Sequence, residues 1–254
     1  MAIEPDRIVK STSFSRASDF NRCPLMFKYK HLDKILDPAP ELPEGDEHPM
    51  DRGSRIHSLC ENYVQNPLIK PQHELRHQLP LLDAFRAGYE KGKVDLEIPI
   101  AFDANWEISA GDDFANTVYR MIIDVAVTVS DSRVYILDWK TGKKKGNEVK
   151  HHDQLMEYAV GVANVDPAIQ IFDVAIGYLD LHPGENLMKR TFTRTQVEQA
   201  TPKVRERHEK VLNATIFPAK PSQFACRFCP FKAGTVGRGK RAYAGTGHCR
   251  RNIC

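Results

Sequence analysis

The 254-residue chain has no apolar run that approaches the roughly 20 residues a membrane-spanning helix needs. Its opening residues, MAIEPDRIVK, place acids early and hold no apolar core, which argues against a secretory leader. Internal repeats and low-complexity segments are missing as well, which excludes solenoids and tandem arrays. These absences leave a soluble protein of the reducing cytoplasm as the expectation, nucleoid-associated or phage-encoded forms included. Acidic residues are absent from one stretch: from Lys210 onward there are nine Lys or Arg and no Asp or Glu. The whole chain carries a net charge of +3, so the first 209 residues sit near −6. A basic tail on an acidic body can supply phosphate contacts, or simply be solvated.

Of the residues present, 41% are hydrophobic and 27% charged, enough apolar material for one large domain with a sizeable core. The six cysteines are Cys23, Cys60, Cys226, Cys229, Cys249 and Cys254, and four of them fall in the last 29 residues. In a reducing compartment such clustering points to a metal site rather than to disulfides. Cys60 reads as a buried helix residue.

The pattern of residues predicts helices first. Ser13 to Leu32 reads as a polar start and a helix, with Pro24 in or near the first turn of a second helical piece. Residues 37–51, with four prolines and six acids, read as a loop. Helices are expected over Arg52 to Gln65 and 78–91. The middle third turns to strands at Val94 to Phe102, Thr117 to Val129 and Arg133 to Lys140, the last two separated by an Asp-Ser turn. A helix over His151 to Val162, a strand over 170–181, a return over 187–193 and a charged helix over Thr195 to Asn213 complete the order. The fold class is α/β, a mixed central sheet flanked by helices. The chain divides into a helical part (1–92), an α/β core (93–194), and a helix with a cysteine-bearing tail (195–254).

Asp124 lies inside an apolar strand, between Ile123 and Val125. A buried carboxylate is costly unless it is paired, protonated or bound to a metal. Asp138 and Lys140 end another apolar strand and, two apart, leave the same face. If the two strands are neighbours, both carboxylates converge with the lysine beside them. They would hold Mg²⁺ or Mn²⁺, hard cations that prefer oxygen, and the metal would activate water toward a phosphodiester. Lys140 would position that water or stabilise charge on the phosphate. The same residues also allow a plain Asp138–Lys140 salt bridge at a strand end.

Six segments in fixed order resemble the RecB-like branch of the PD-(D/E)xK nucleases, which includes Cas4 and AddB nuclease domains. They are CPLMFKY (23–29), GSRIHSLCE (53–61), MIIDVAV (121–127), ILDWKTG (136–142), QLMEY (154–158) and CRFCPF (226–231). The resemblance implies a restriction-endonuclease-like core and a metal-dependent deoxyribonuclease. The implied form is an exonuclease on single-stranded or end-exposed DNA, in recombination, repair or phage DNA processing. Recombination or replication proteins are possible partners. It implies catalytic roles for Asp124, Asp138, Lys140, Gln154 and Tyr158. It implies metal ligation by His57, Asp124, Asp138, Glu97 and the Trp139 carbonyl, with Glu61 orienting its surroundings. Lys143, Lys144 and Lys145 follow the motif strand directly and could contact DNA phosphates or form a solvated loop. By the same resemblance Cys23, Cys226, Cys229 and Cys249 would hold a [4Fe–4S] cluster. Here the fourth cysteine comes late: Thr235 stands where the family pattern has it, so Cys254 or His248 could replace Cys249, and Zn²⁺ could replace the cluster. The alternative from another class is a non-cutting DNA-binding or assembly module of the same fold.

Overall fold

Three β-branched stretches build the centre of the structure, a computed structural model that describes residues 8–37, 45–109, 115–142, 144–237 and 242–249. Strand β1 (Val94–Phe102) pairs antiparallel with a short β2 (Ile108–Ser109) and with β3 (Tyr119–Ser130), and β3 pairs antiparallel with β4 (Arg133–Lys140). Then the direction changes. β4 runs parallel to β5 (Ile171–Tyr178), from Arg133↔Ile171 to Lys140↔Tyr178, and β6 (Leu187–Thr193) returns antiparallel to β5. The six-stranded order is β2-β1-β3-β4-β5-β6. A parallel neighbour needs a crossover, and helix α5 (Glu148–Val165) supplies it. The expected mixed sheet flanked by helices is present.

By contact the chain divides into two compact units, one built on His48–Arg205 and the other on Ala2–Glu47 with Glu206–Cys254. The first contains the sheet. Helices α3 (Pro49–Gln65) and α4 (Leu79–Tyr89) bury Ile56, Cys60, Tyr63, Leu82 and Phe85 in one cluster with Val94, Val125, Leu137 and Trp139. Each large side chain so buried contributes about 1.5–3 kcal/mol, so this apolar layer is what holds α3 to the strands. Helix α3 starts at Pro49, three residues before the predicted Arg52, because His48 caps it and proline suits the first turn. Arg52 forks onto Asp180 beyond β5, which ties down the same turn. Gly161 of α5 lies against Met121 and Ile100.

Those contacts expose a break in β1. Leu96 and Val125 pack in the α3/α4 cluster, yet Ile100 and Met121, each four positions along, meet α5. Residues four apart on a regular strand share a face. Alternation therefore fails between them, and Glu97 carries the failure with φ +49°.

The second unit gathers α1 (Phe14–Arg22), α2 (Pro24–Phe27), a π-helical turn at Lys28–Leu32 and α7 (Gln223–Arg227). A two-residue hairpin of β7 (Thr235–Val236) and β8 (Tyr243–Ala244) joins them. Helix α6 (Arg194–Leu212) begins in the first unit and ends in the second. Ser13 Oγ accepts the Arg16 amide at the start of α1, and Pro24 opens α2 as its fixed φ favours. Phe20, Phe27 and Phe217 pack ring against ring, and Thr12 Oγ1 meets His208 Nδ1 at 3.3 Å. The described helices lack an apolar stretch long enough to cross a membrane.

Candidate active site

The β3–β4 ladder ends at Val125↔Leu137. One step further Asp124 and Asp138 face each other, and residues opposite on antiparallel strands share a side. The Trp139 amide is spent on a side chain: it donates to Asp124 Oδ2 at 2.6 Å. Asp124 is buried, and burial first, then the charge of Asp138, pushes its carboxyl well above the usual range. The Trp139 amide and Lys140 pull the other way.

On the far side of Asp124, β1 brings Glu97. The ladder pairs Leu96 with Val125 and Ile98 with Ile123, so Glu97 stands opposite Asp124. Its carboxyl is raised by burial, then by Glu61 and Asp138. Helix α3 supplies His57, whose Nδ1 lies 3.3 Å from Asp124 Oδ2 and whose ring also hydrogen-bonds the Trp139 carbonyl. Burial lowers the His57 pKa, which keeps the imidazole neutral at pH 7, the form that binds metals. Ligand atoms of His57, Glu97 and Asp124 lie within 4.8 Å of one another. Glu61, one turn along α3, does not bond His57; it accepts from Gln65 at 3.1 Å.

Asp138 is held from the other side. Lys140 Nζ lies 2.6 Å from its Oδ2. The Tyr158 hydroxyl donates to Oδ1, and Gln154 Nε2 donates to Oδ1 at 3.3 Å and to the Tyr158 oxygen at 2.8 Å. Tyr158 is buried, and burial and the charge of Asp138 hold its phenol well above the ordinary value, so it stays a donor. Gln154 and Tyr158 reach one carboxylate because they are a helical turn apart on α5.

A further pair was not predicted. His151 Nδ1 lies 2.6 Å from the Tyr178 hydroxyl, and both side chains are buried. Tyr178 is the β5 partner of Lys140, and His151 precedes Gln154 by three residues on α5. The i, i+3, i+7 spacing of His151, Gln154 and Tyr158 was the available signal. Lys144 donates to the Glu185 carbonyl at 3.2 Å and lies over the Tyr178 ring, and Lys145 lines a shallow pocket with Glu148 and Glu185. Lys143 lies outside the described residues.

In the second unit one cavity is lined by Cys23, Cys226, Cys229 and Cys249 with Met26 and Ala225. Cys23, Cys229 and Cys249 are free thiols, whereas Cys226 is disulfide-bonded. Burial raises the Cys229 thiol, and Cys249 and Cys23 add to the effect. His248 turns to Thr246 Oγ1 at 2.8 Å. Cys254 lies outside the described residues. Cys60 is buried in α3, as predicted.

The family model described as PD-(D/E)XK nuclease superfamily matches residues 11–233. A search of the curated proteins finds no match. Among solved structures, a presumptive exonuclease from Eubacterium rectale is similar at 12% identity and a TM-score of 0.46, over 90% of this chain and 91% of that one. The protein SSO0001 is similar at 8% identity and 0.39, over 89% and 85%. The alkaline exonuclease LHK-Exo from Laribacter hongkongensis is similar at 14% identity and 0.31, over 80% and 92%.

Proposed function

The chain belongs to the PD-(D/E)XK nuclease superfamily, and from that premise we propose that it hydrolyses DNA phosphodiesters with Mg²⁺ or Mn²⁺, as an exonuclease on single-stranded or end-exposed DNA. The observation that carries the reading is the convergence at the end of the β3–β4 ladder. Asp124 meets His57 and Glu97 there, and Asp138 meets Lys140, Tyr158 and Gln154. A salt bridge that only closed a strand end would need none of the other five groups.

The oxygen-rich donor set with one imidazole suits a hard or borderline divalent cation. His57, Asp124, Asp138, Glu97 and the Trp139 carbonyl would hold it. When bound, the metal supplies Lewis acidity at the phosphate and a water acidic enough to attack at neutral pH. The chain's own groups do the rest. The Trp139 amide fixes the Asp124 carboxylate. Tyr158 and Gln154 fix Asp138 and leave its other oxygen to Lys140. Lys140, a partly exposed cation 2.6 Å from that oxygen, orients the attacking water or meets the charge that develops on the phosphate. Lys144 and Lys145 add positive charge in the loop after β4, where they would meet the phosphate backbone.

The four cysteines at one cavity offer soft thiolates, which suit an iron–sulfur cluster or zinc. Cys23, Cys226, Cys229 and Cys249 would hold a [4Fe–4S] cluster once Cys226 is reduced, with zinc as the competing occupant. This assignment stays within the second unit, whose two segments it would staple together.

The test is cleavage of an end-labelled single strand by anaerobically purified protein with Mn²⁺, Mg²⁺ or chelator. Metal-dependent product is expected. Asp138→Ala should abolish it, and Lys140→Ala should lower the rate by at least about 10²-fold, the size seen when a charge-stabilising donor is removed, with DNA binding largely kept. Full activity in either variant would overturn the assignment. No product with any metal, on single or double strands, would favour the non-cutting binding module.

A further inference from the structure

Among the described residues of the second unit, two phenylalanine rings stand exposed, while the other Phe and Tyr side chains are buried or half-buried. Phe27 and Phe231 are fully buried, and Phe20 and Phe217 pack against Phe27. Phe224 is 75% exposed and Phe228 48%. They lie four residues apart on the single turn of α7 and its C-terminal cap, so they project from one side. Neither is the aromatic that follows the cysteine pair in the family pattern; that is Phe231.

The turn that carries them is fixed. Ser222 Oγ accepts the Ala225 amide at 3.0 Å, and Ala225 and Cys229 are buried. Arg22 donates to the Ala225 carbonyl at 3.0 Å, and its guanidinium lies 5.7 Å from the centre of the Phe224 ring. A cation is thus already parked on one ring. Lys220, Arg227 and Lys232 lie on the same segment, and no acid follows Lys210 in the sequence. Two open rings on a basic segment match a ligand with flat apolar faces and a polyanionic backbone.

We propose that Phe224 and Phe228, with Arg22 and Arg227, form a stacking platform for the unpaired bases of single-stranded DNA. Duplex bases are already stacked on each other, so exposed rings gain most from an unpaired strand. The inference rests on the DNA reading of the chain but not on its ability to cut.

Binding is measured by fluorescence anisotropy on a labelled oligothymidylate, with the full chain in an Asp138→Ala background so that the strand stays intact. Replacing both rings by alanine should weaken binding by roughly ten-fold or more, because each ring removed takes away a stacking face for a base. Tryptophan at both positions should preserve affinity. Leucine at both, which keeps apolar area and removes the ring, should weaken it as alanine does. An abasic strand of equal length should bind all four proteins alike. Melting curves should not move, because both side chains are exposed. Wild-type affinity in the alanine pair overturns the proposal. So does wild-type affinity in the leucine pair, which would mark the patch as an apolar docking site for protein. A chain that cuts DNA yet binds it independently of the rings loses this inference alone; one that binds through the rings and never cuts loses only the nuclease reading.

Discussion

Glu97 holds a left-handed backbone in the middle of a strand, a conformation that costs a side-chain-bearing residue about 1–3 kcal/mol. Something must offset that, and the aim of its carboxylate at Asp124 and His57 is the candidate. Glu97→Gly should raise the melting temperature, by about 2–4 °C per kcal/mol relieved, and at the same time lose metal-dependent cleavage. Glu97→Gln keeps the backbone cost and should lose activity without the gain. A glycine variant no more stable than the parent would sink the strain argument. The neighbouring Asp124 predicts a pH effect. Its carboxyl is raised by burial and by Asp138, so the folded state binds that proton more tightly than the unfolded chain, where the pKa is about 3.9. Stability from this group is full below the unfolded value and is lost as pH rises through the folded one. His57 is lowered, so its contribution runs oppositely and is lost as pH falls. In chelator, Asp124→Asn should therefore melt above wild type, by a margin that grows with pH across the span between Asp124's two values. Mn²⁺ should raise only the wild-type protein. Thermal denaturation across pH checks both.

At the scale of elements, the site depends on how closely β4 and β5 approach. A side chain on Gly177 would sit 2.6 Å from the Trp139 ring. Trp139 gives its amide to Asp124 and its carbonyl to His57, so Gly177→Ala should reach the site through one ring. We expect cleavage to fall at least ten-fold, with the loss of stability that overpacking brings, about 1–3 kcal/mol. Unchanged kinetics would show that Trp139 yields without moving its backbone. Much of this layout was legible beforehand. β1 and β4 end where predicted because each apolar run is bounded by turn residues or by the charged Lys140. The Asp124–Asp138 pairing followed from two adjacent strands joined by a tight turn. β2, β7 and β8 were missed because two residues carry no periodicity. The break at Glu97 was not legible because nothing in a glutamate marks a positive φ. The His151–Tyr178 contact joins residues 27 apart in helix and strand; the helix spacing marked His151, but nothing local marked Tyr178 as its partner.

For the whole molecule, the two units make separable demands. Cys229→Ser should lower the iron or zinc content and destabilise the second unit, read by metal analysis and by melting. A well-folded variant with unchanged metal would show that the tail thiols are not ligands. The second unit is also discontinuous in sequence, built on Ala2–Glu47 and Glu206–Cys254, which precede and follow the first. On a ribosome adding ~5–20 residues per second, its early half waits roughly 8–30 s for the late half to be made. The sheet and its carboxylates can be finished in that interval. Cys23 spends it apart from the late cysteines, so any metal that these thiols hold would be loaded in the last moments of biosynthesis, after the sheet is already built.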